Sequence, residues 1–211
     1  MERGKFIVFE GVGGCGKTTQ IKEAGKYLTE KGFDVVVTRE PGGIEASEKI
    51  RELIFKLKSE GVANADHQMA LFYASRWIWL DALVKPEVNK GRIVLTDRYD
   101  SSTNAYQGWA EGGNKKTIEK FSEIVSGGFT PDAIILLRVS TETGMIRKSK
   151  DKEGDPFDSE DVNYFNKLVD GYDDMAEKKW RGINWFVVDG ERSEKAVSEA
   201  INGILDKIVN K

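Results

Sequence analysis

The stretch Lys5-Phe-Ile-Val-Phe-Glu-Gly-Val-Gly-Gly-Cys-Gly-Lys-Thr-Thr-Gln20 decides how the rest of the chain is read. Phe6 to Phe9 is a short apolar run, the pattern of a buried strand. Gly11 to Thr18 has the spacing Gly-x4-Gly-Lys-Thr, and from Thr19 the pattern turns helical. Strand, glycine loop and helix start, in that order, make a phosphate cradle. The loop residues Gly11, Val12, Gly13, Gly14, Cys15, Gly16, Lys17, Thr18 and Thr19 are candidate phosphate contacts. Glycines let the backbone N–H groups converge on an anion, and the helix behind presents its positive dipole end. Lys17 adds a point charge, and the Thr18 hydroxyl suits Mg²⁺. Cys15 reads as a small spacer with a thiol within reach of oxidation.

The chain has 211 residues, which predicts one domain over 1–211. A net charge of −3 supplies no global basic field, so a nucleic-acid partner is not expected and any anion site is local. One cysteine excludes an internal disulfide and suits a reducing compartment. No run is long and apolar enough for a membrane span, and no signal-peptide core opens the chain. The expected location is cytoplasmic.

Downstream, helical spacing continues through Ile21, Ala24 and Leu28 to about Lys31, with Gly32 as the stop. Phe33–Thr38 reads as a second buried strand, closed by Arg39-Glu-Pro-Gly-Gly43. Residues 45–58 carry a helical apolar face, and a long helix runs from His67 to about Leu83 with Asp66 as N-cap. Arg92–Thr96, Ala133–Val139 and Ile183–Val188 are the third, fourth and fifth strands. Helices are expected from residue 100, up to Val125, over 141–148, over 159–179 and at the C-terminus, with a charged loop at 149–158. Alternating strands and helices predict an α/β three-layer sandwich with a five-stranded parallel sheet. Such sheets bind ligands at the carboxyl ends of their strands, so Gly11, Arg39 and Asp97 should share one crevice.

Asp97-Arg98 at a strand end offers a carboxylate for Mg²⁺ or its waters and a guanidinium for phosphoryl oxygens; the alternative is a surface ion pair. Phe72 and Arg76 share a helix face. They are either a ring and a cation for a planar base, or a core ring and a snorkelling arginine. Trp77 and Trp79 read as packing residues, and His67 as a surface or capping residue.

The segments Phe9–Gln20, Thr38-Arg-Glu-Pro-Gly-Gly43, Leu71-Phe-Tyr-Ala-Ser-Arg76 and Asp97-Arg-Tyr-Asp-Ser-Ser-Thr-Asn-Ala-Tyr-Gln-Gly108 together resemble the thymidylate kinases. The resemblance runs nearly end to end and implies a P-loop NTPase architecture. It implies transfer of the ATP γ-phosphoryl group to dTMP with Mg²⁺ held near Thr18 and Asp97. A kinase of another base preference, or a nucleotide-binding homologue with weak transfer, are the alternatives. By matched positions, Lys17, Arg39, Asp97 and Arg98 would be catalytic. Arg39 and Arg98 would grip the acceptor phosphate, and Phe72 would stack on thymine with Arg76 at its edge. Ser102 and Thr103 would lie beside the base, Tyr106 would pack against the sugar where a 2′-OH would sit, Tyr172 would line the same pocket, and Gln107 would contact the substrate. Arg147 would lie against adenine, and 148–158 would be a lid. A homodimer is implied. Four positions depart from the family pattern: Gly13, Asp155-Pro-Phe-Asp158, Arg138, and the pair Ile78-Trp79.

Overall fold

The computed structural model describes residues 3–150, 157 and 161–210. Among these, five strands form one sheet: β1 (Phe6–Glu10), β2 (Val35–Arg39), β3 (Ile93–Asp97), β4 (Ala133–Arg138) and β5 (Trp185–Asp189). All pairings are parallel and the order is β2-β3-β1-β4-β5. The chain therefore leaves β1 toward one side and later crosses to the other, which opens a crevice at the carboxyl end of β1. Phe9 lies opposite Asp97, and Asp97 opposite Arg39, so three strand ends are level at that crevice.

Side chains of β1 alternate between two cores. Ile7 and Phe9 pack with Leu95 and Ile135 against Ile21, Ala24 and Leu28 of α1 (Lys17–Glu30) and Ile201 and Leu205 of α9 (Glu194–Val209). Phe6 and Val8 pack with Val94 and Ile134 against Tyr73 and Trp79 of α3 (Ala65–Trp79) and Ile118 of α6 (Lys115–Ser126). Both sheet faces are covered, which is why the strands read as unbroken apolar runs. The remaining helices are α2 (Glu45–Ser59), α4 (Lys85–Asn89), α5 (Asp100–Thr103), α7 (Thr141–Lys148) and α8 (Val162–Glu177).

Three expectations change. The second strand is an edge of the sheet and only half-buried; Val37 is 48% exposed. A Val-rich run cannot reveal by itself which strands have one neighbour. The long helix starts at Ala65, with Asn64 rather than Asp66 as its N-cap, because the Asn64 side chain accepts from the His67 backbone N–H at 3.0 Å. It also does not run smoothly to Leu83: Leu80–Val84 is a π-helical turn leading into α4. A second π-helical segment, Asn104–Ala110, follows α5 and turns both Tyr106 and Gln107 to the crevice. Of the proposed lid, residues 151–156 and 158 lie outside the described residues.

Candidate active site

The crevice is a cleft of about 1050 Å³ running from the glycine loop to Gln107. At one end, Gly16 caps α1 with φ 94° and no side-chain cap, so the first N–H groups of the helix are left for an anion. Gly14 has φ 75°, and a Cβ there would sit 2.3 Å from the Gly144 carbonyl, so the loop can lie against α7 only without a side chain. Lys17 folds back over the loop, its Nζ donating to the carbonyls of Gly11 at 2.8 Å and Val12 at 3.1 Å. Gly13, Gly14, Gly16, Lys17, Thr18, Thr19 and Arg147 line the cleft, while Val12 and Cys15 are buried beneath it. Arg147 is held by the Gly190 carbonyl at 2.9 Å.

The Thr18 hydroxyl is 3.4 Å from Asp97 Oδ2, and Asp97 Oδ1 is buried with no hydrogen-bond partner. An unpartnered carboxylate oxygen beside a hydroxyl at the cradle's edge suits a hard cation. Among the described residues no trio of acidic, histidine or cysteine side chains converges. That donor set fits Mg²⁺, which takes one or two protein oxygens and completes its shell with phosphates and water.

Arg98 stands next to Asp97 with φ 71°, a left-handed conformation that costs a non-glycine residue strain. Its guanidinium is clamped. Nη1 donates to Ser102 Oγ at 3.0 Å, and to the Gly11 carbonyl and the Tyr172 hydroxyl at 3.4 Å. Nη2 donates to the Tyr106 hydroxyl at 3.0 Å. Tyr172 is buried below Arg98 rather than on the cleft wall, and its sequence-derived place in the pocket becomes a place behind the arginine. Arg39 lines the cleft but pairs with Glu48 at 2.9 Å, which also accepts from the Gly43 N–H.

On the far wall stand Phe72, Arg76, Thr103, Tyr106 and Gln107. Arg76 is 2% exposed, so it is no snorkelling residue. Its Nη1 meets Asp100 at 3.2 Å and its Nη2 meets Thr103 Oγ1 at 2.9 Å. Its Nε lies 2.6 Å from Glu40 Oε1, yet at an angle that leaves both Glu40 oxygens without a hydrogen bond. Burial pushes the Glu40 carboxyl up to about 7; Arg76 pulls the other way, and Asp100 and Glu10 add to the rise. Burial also opposes the charge on Arg76, but Glu40 and Asp100 outweigh it and keep the guanidinium cationic.

Sequence reasoning missed several members of this wall. Phe157 packs with its ring centroid 5.7 Å from Tyr106, 6.3 Å from Phe55 and 6.4 Å from Phe72. One aromatic inside a charged loop was the available signal. Arg51 sits 4.4 Å over Phe55 on α2, a ring and a cation four residues apart as in Phe72 and Arg76. Glu40 was visible only as part of a loop motif. Among the other readings, Trp79 is fully buried and donates to Thr38 Oγ1 at 3.2 Å, whereas Trp77 is 47% exposed. Arg138 pairs with Asp173 at 2.9 Å, away from the cleft wall.

Known proteins resemble this chain in sequence. The family model described as Thymidylate kinase matches residues 9–201. A thymidylate kinase of Hahella chejuensis is 37% identical, with 95% of each chain covered. One from a Nostoc species is 36% identical over 96% of this chain and 95% of its own, and one from a Synechococcus species 34% identical over 94% and 95%. The chain belongs to the thymidylate kinase family.

Proposed function

We propose that the protein transfers the γ-phosphoryl group of ATP to dTMP, yielding ADP and dTDP for dTTP synthesis. The observation that carries this reading is the position of Asp97-Arg98 midway along one cleft. The phosphate loop lies on one side, and the Phe72, Arg76 and Tyr106 wall on the other. Lys17 and the loop N–H groups hold the donor phosphates, and Arg147 borders the adenine. Thr18 and Asp97 would hold Mg²⁺, which would neutralise charge on the donor phosphates. Arg98, clamped between loop and wall, contacts the phosphoryl group passing between the nucleotides. Arg39 grips the acceptor phosphate once it exchanges Glu48 for it.

Phe72 stacks on the pyrimidine, with Ser102, Thr103 and Gln107 around it, and Arg76 presents a donor to its edge. Arg76 has no acceptor, so it favours a base carbonyl and disfavours the cytosine amino group. A donor facing a donor in a buried site costs about 1–3 kcal/mol, or roughly tenfold to hundredfold in selectivity. Tyr106 crowds a ribose 2′-OH. The chain is read as cytoplasmic and as a homodimer. The exposed Leu53, Trp77, Ile78 and Ile124 on α2, α3 and α6 support association.

The test is kcat/KM for dTMP, dUMP, UMP and dCMP on the wild type and on Tyr106→Ala. We expect dTMP to exceed dCMP at least about tenfold. We also expect the variant to narrow the dUMP-to-UMP ratio more than the dTMP-to-dCMP ratio. Equal values for dTMP and dCMP would refute the role of Arg76, and an unchanged dUMP-to-UMP ratio that of Tyr106.

A further inference from the structure

Glu10, the last residue of β1, is completely buried and does not line the cleft. Its two carboxylate oxygens serve different groups. Oε1 accepts from two backbone N–H groups, Tyr99 at 3.0 Å and Ser102 at 3.2 Å, and from Ser101 Oγ at 2.7 Å. Oε2 accepts from two hydroxyls, Ser102 Oγ at 2.8 Å and the Tyr172 OH at 2.9 Å. These are the same two hydroxyls that meet Arg98 Nη1. A hydroxyl has one proton and two lone pairs. The two hydroxyls also stand 2.9 Å apart; with their protons given to Glu10, each keeps a lone pair for the guanidinium, which only donates.

We propose that Glu10 is a positioning residue for phosphoryl transfer. Its carboxylate orients the Ser102 and Tyr172 hydroxyls so that both accept from Arg98, and so aims that arginine at the transferring group. This rests on the transfer role given to Arg98 above. The backbone of Arg98 is held at φ 71°, and its guanidinium is set by these contacts together with those to the Gly11 carbonyl and the Tyr106 hydroxyl.

Glu10→Gln isolates the effect by its own chemistry. The two N–H groups at the Oε1 end cannot turn round, so the amide must place its oxygen there. Its NH₂ then faces Ser102 and Tyr172, whose protons must leave that side; one hydroxyl can donate to the other across 2.9 Å, and the remaining proton turns toward Arg98. Shape is kept and polarity is inverted.

The experiment is steady-state kinetics of wild type, Glu10→Gln, Arg98→Ala and the double variant, with folding checked by circular dichroism. We expect Glu10→Gln to lower kcat at least about tenfold with the ATP KM within about threefold. In the Arg98→Ala background the same change should cost less than about twofold, because the group it aims is gone. Glu10→Gln activity close to wild type would overturn the proposal. So would losses that multiply in the double variant, the signature of a structural role. Should Glu10→Gln not fold, Ser102→Ala with Tyr172→Phe removes the relay while Glu10 stays; losses independent of Arg98→Ala again overturn it. A wild type that prefers another nucleoside monophosphate overturns only the dTMP reading, and the cycle is then run with that acceptor. A wild type inactive on all of them overturns both.

Discussion

At the scale of single residues, the acceptor side of the cleft depends on charges held out of water. Glu40 and Arg76 are both almost wholly buried, and their contact of 2.6 Å satisfies the charge but not the directional bonding of the carboxylate. The consequence is a stability that varies with pH. Glu40 rises from an ordinary 4.5 to about 7 on folding. A raised carboxyl pKa means the folded state holds the proton more tightly than the unfolded chain. Its contribution is therefore complete below pH 4.5 and lost as pH climbs through 7. The loss is on the order of 3 kcal/mol at most. Urea unfolding of wild type and Glu40→Gln at several pH values from 5 to 8 should show the wild type losing ground to the variant as pH rises. A difference independent of pH would show that Glu40 is ionised throughout.

At the scale of elements, the π-helical segment Asn104–Ala110 carries Tyr106, and α8 carries Tyr172, so their mutual packing sets the two phenols around Arg98. The contact is close because Gly171 has no side chain. A Cβ there would lie 2.8 Å from Cγ and 3.1 Å from Cβ of Trp109, whose ring also carries Lys115 Nζ 3.3 Å from its centroid. Two effects of Gly171→Ala oppose each other. The helix gains about 1 kcal/mol from alanine propensity. Overpacking against a ring costs about 1–3 kcal/mol. Because the clash is with Cβ and Cγ, the end of Trp109 nearest its backbone, overpacking should win. We expect a net loss of about 1–2 kcal/mol in denaturant unfolding, together with reduced kcat as α8 shifts. A variant more stable than wild type would show that Trp109 yields.

At the scale of the whole molecule, the strand order β2-β3-β1-β4-β5 brings both halves of the cleft to one end of the sheet. Ligands at either half should stabilise the fold by mass action, about 2.7 kcal/mol at a hundredfold excess over Kd. Lys17 belongs to the phosphate loop and not to the Phe72 wall. Lys17→Ala should therefore lose the rise in Tm with ATP and Mg²⁺, keep the rise with dTMP, and lower kcat more than about tenfold. A variant that loses both rises, or neither, would contradict the division of the cleft into donor and acceptor halves.

What the chain determines locally is legible in its residue order. A phosphate loop needs its glycines and its Lys17-Thr18 contiguous, and buried parallel strands need unbroken apolar runs; both are short-range patterns. That Arg39 and Asp97 share one crevice follows from strand ends alone, and the register places them level; Gly11 is buried behind the cleft lining. Partnerships between distant segments are decided only by the tertiary structure. Glu10 meets Tyr172 across 162 positions, Glu40 meets Arg76 from a loop, and Phe157 reaches Phe72 and Tyr106 from a stretch with no apolar period. Periodicity reports which way a side chain faces within its own element. It carries no information on which other element will supply the proton acceptor or the counter-charge, because that depends on the packing of the whole sheet.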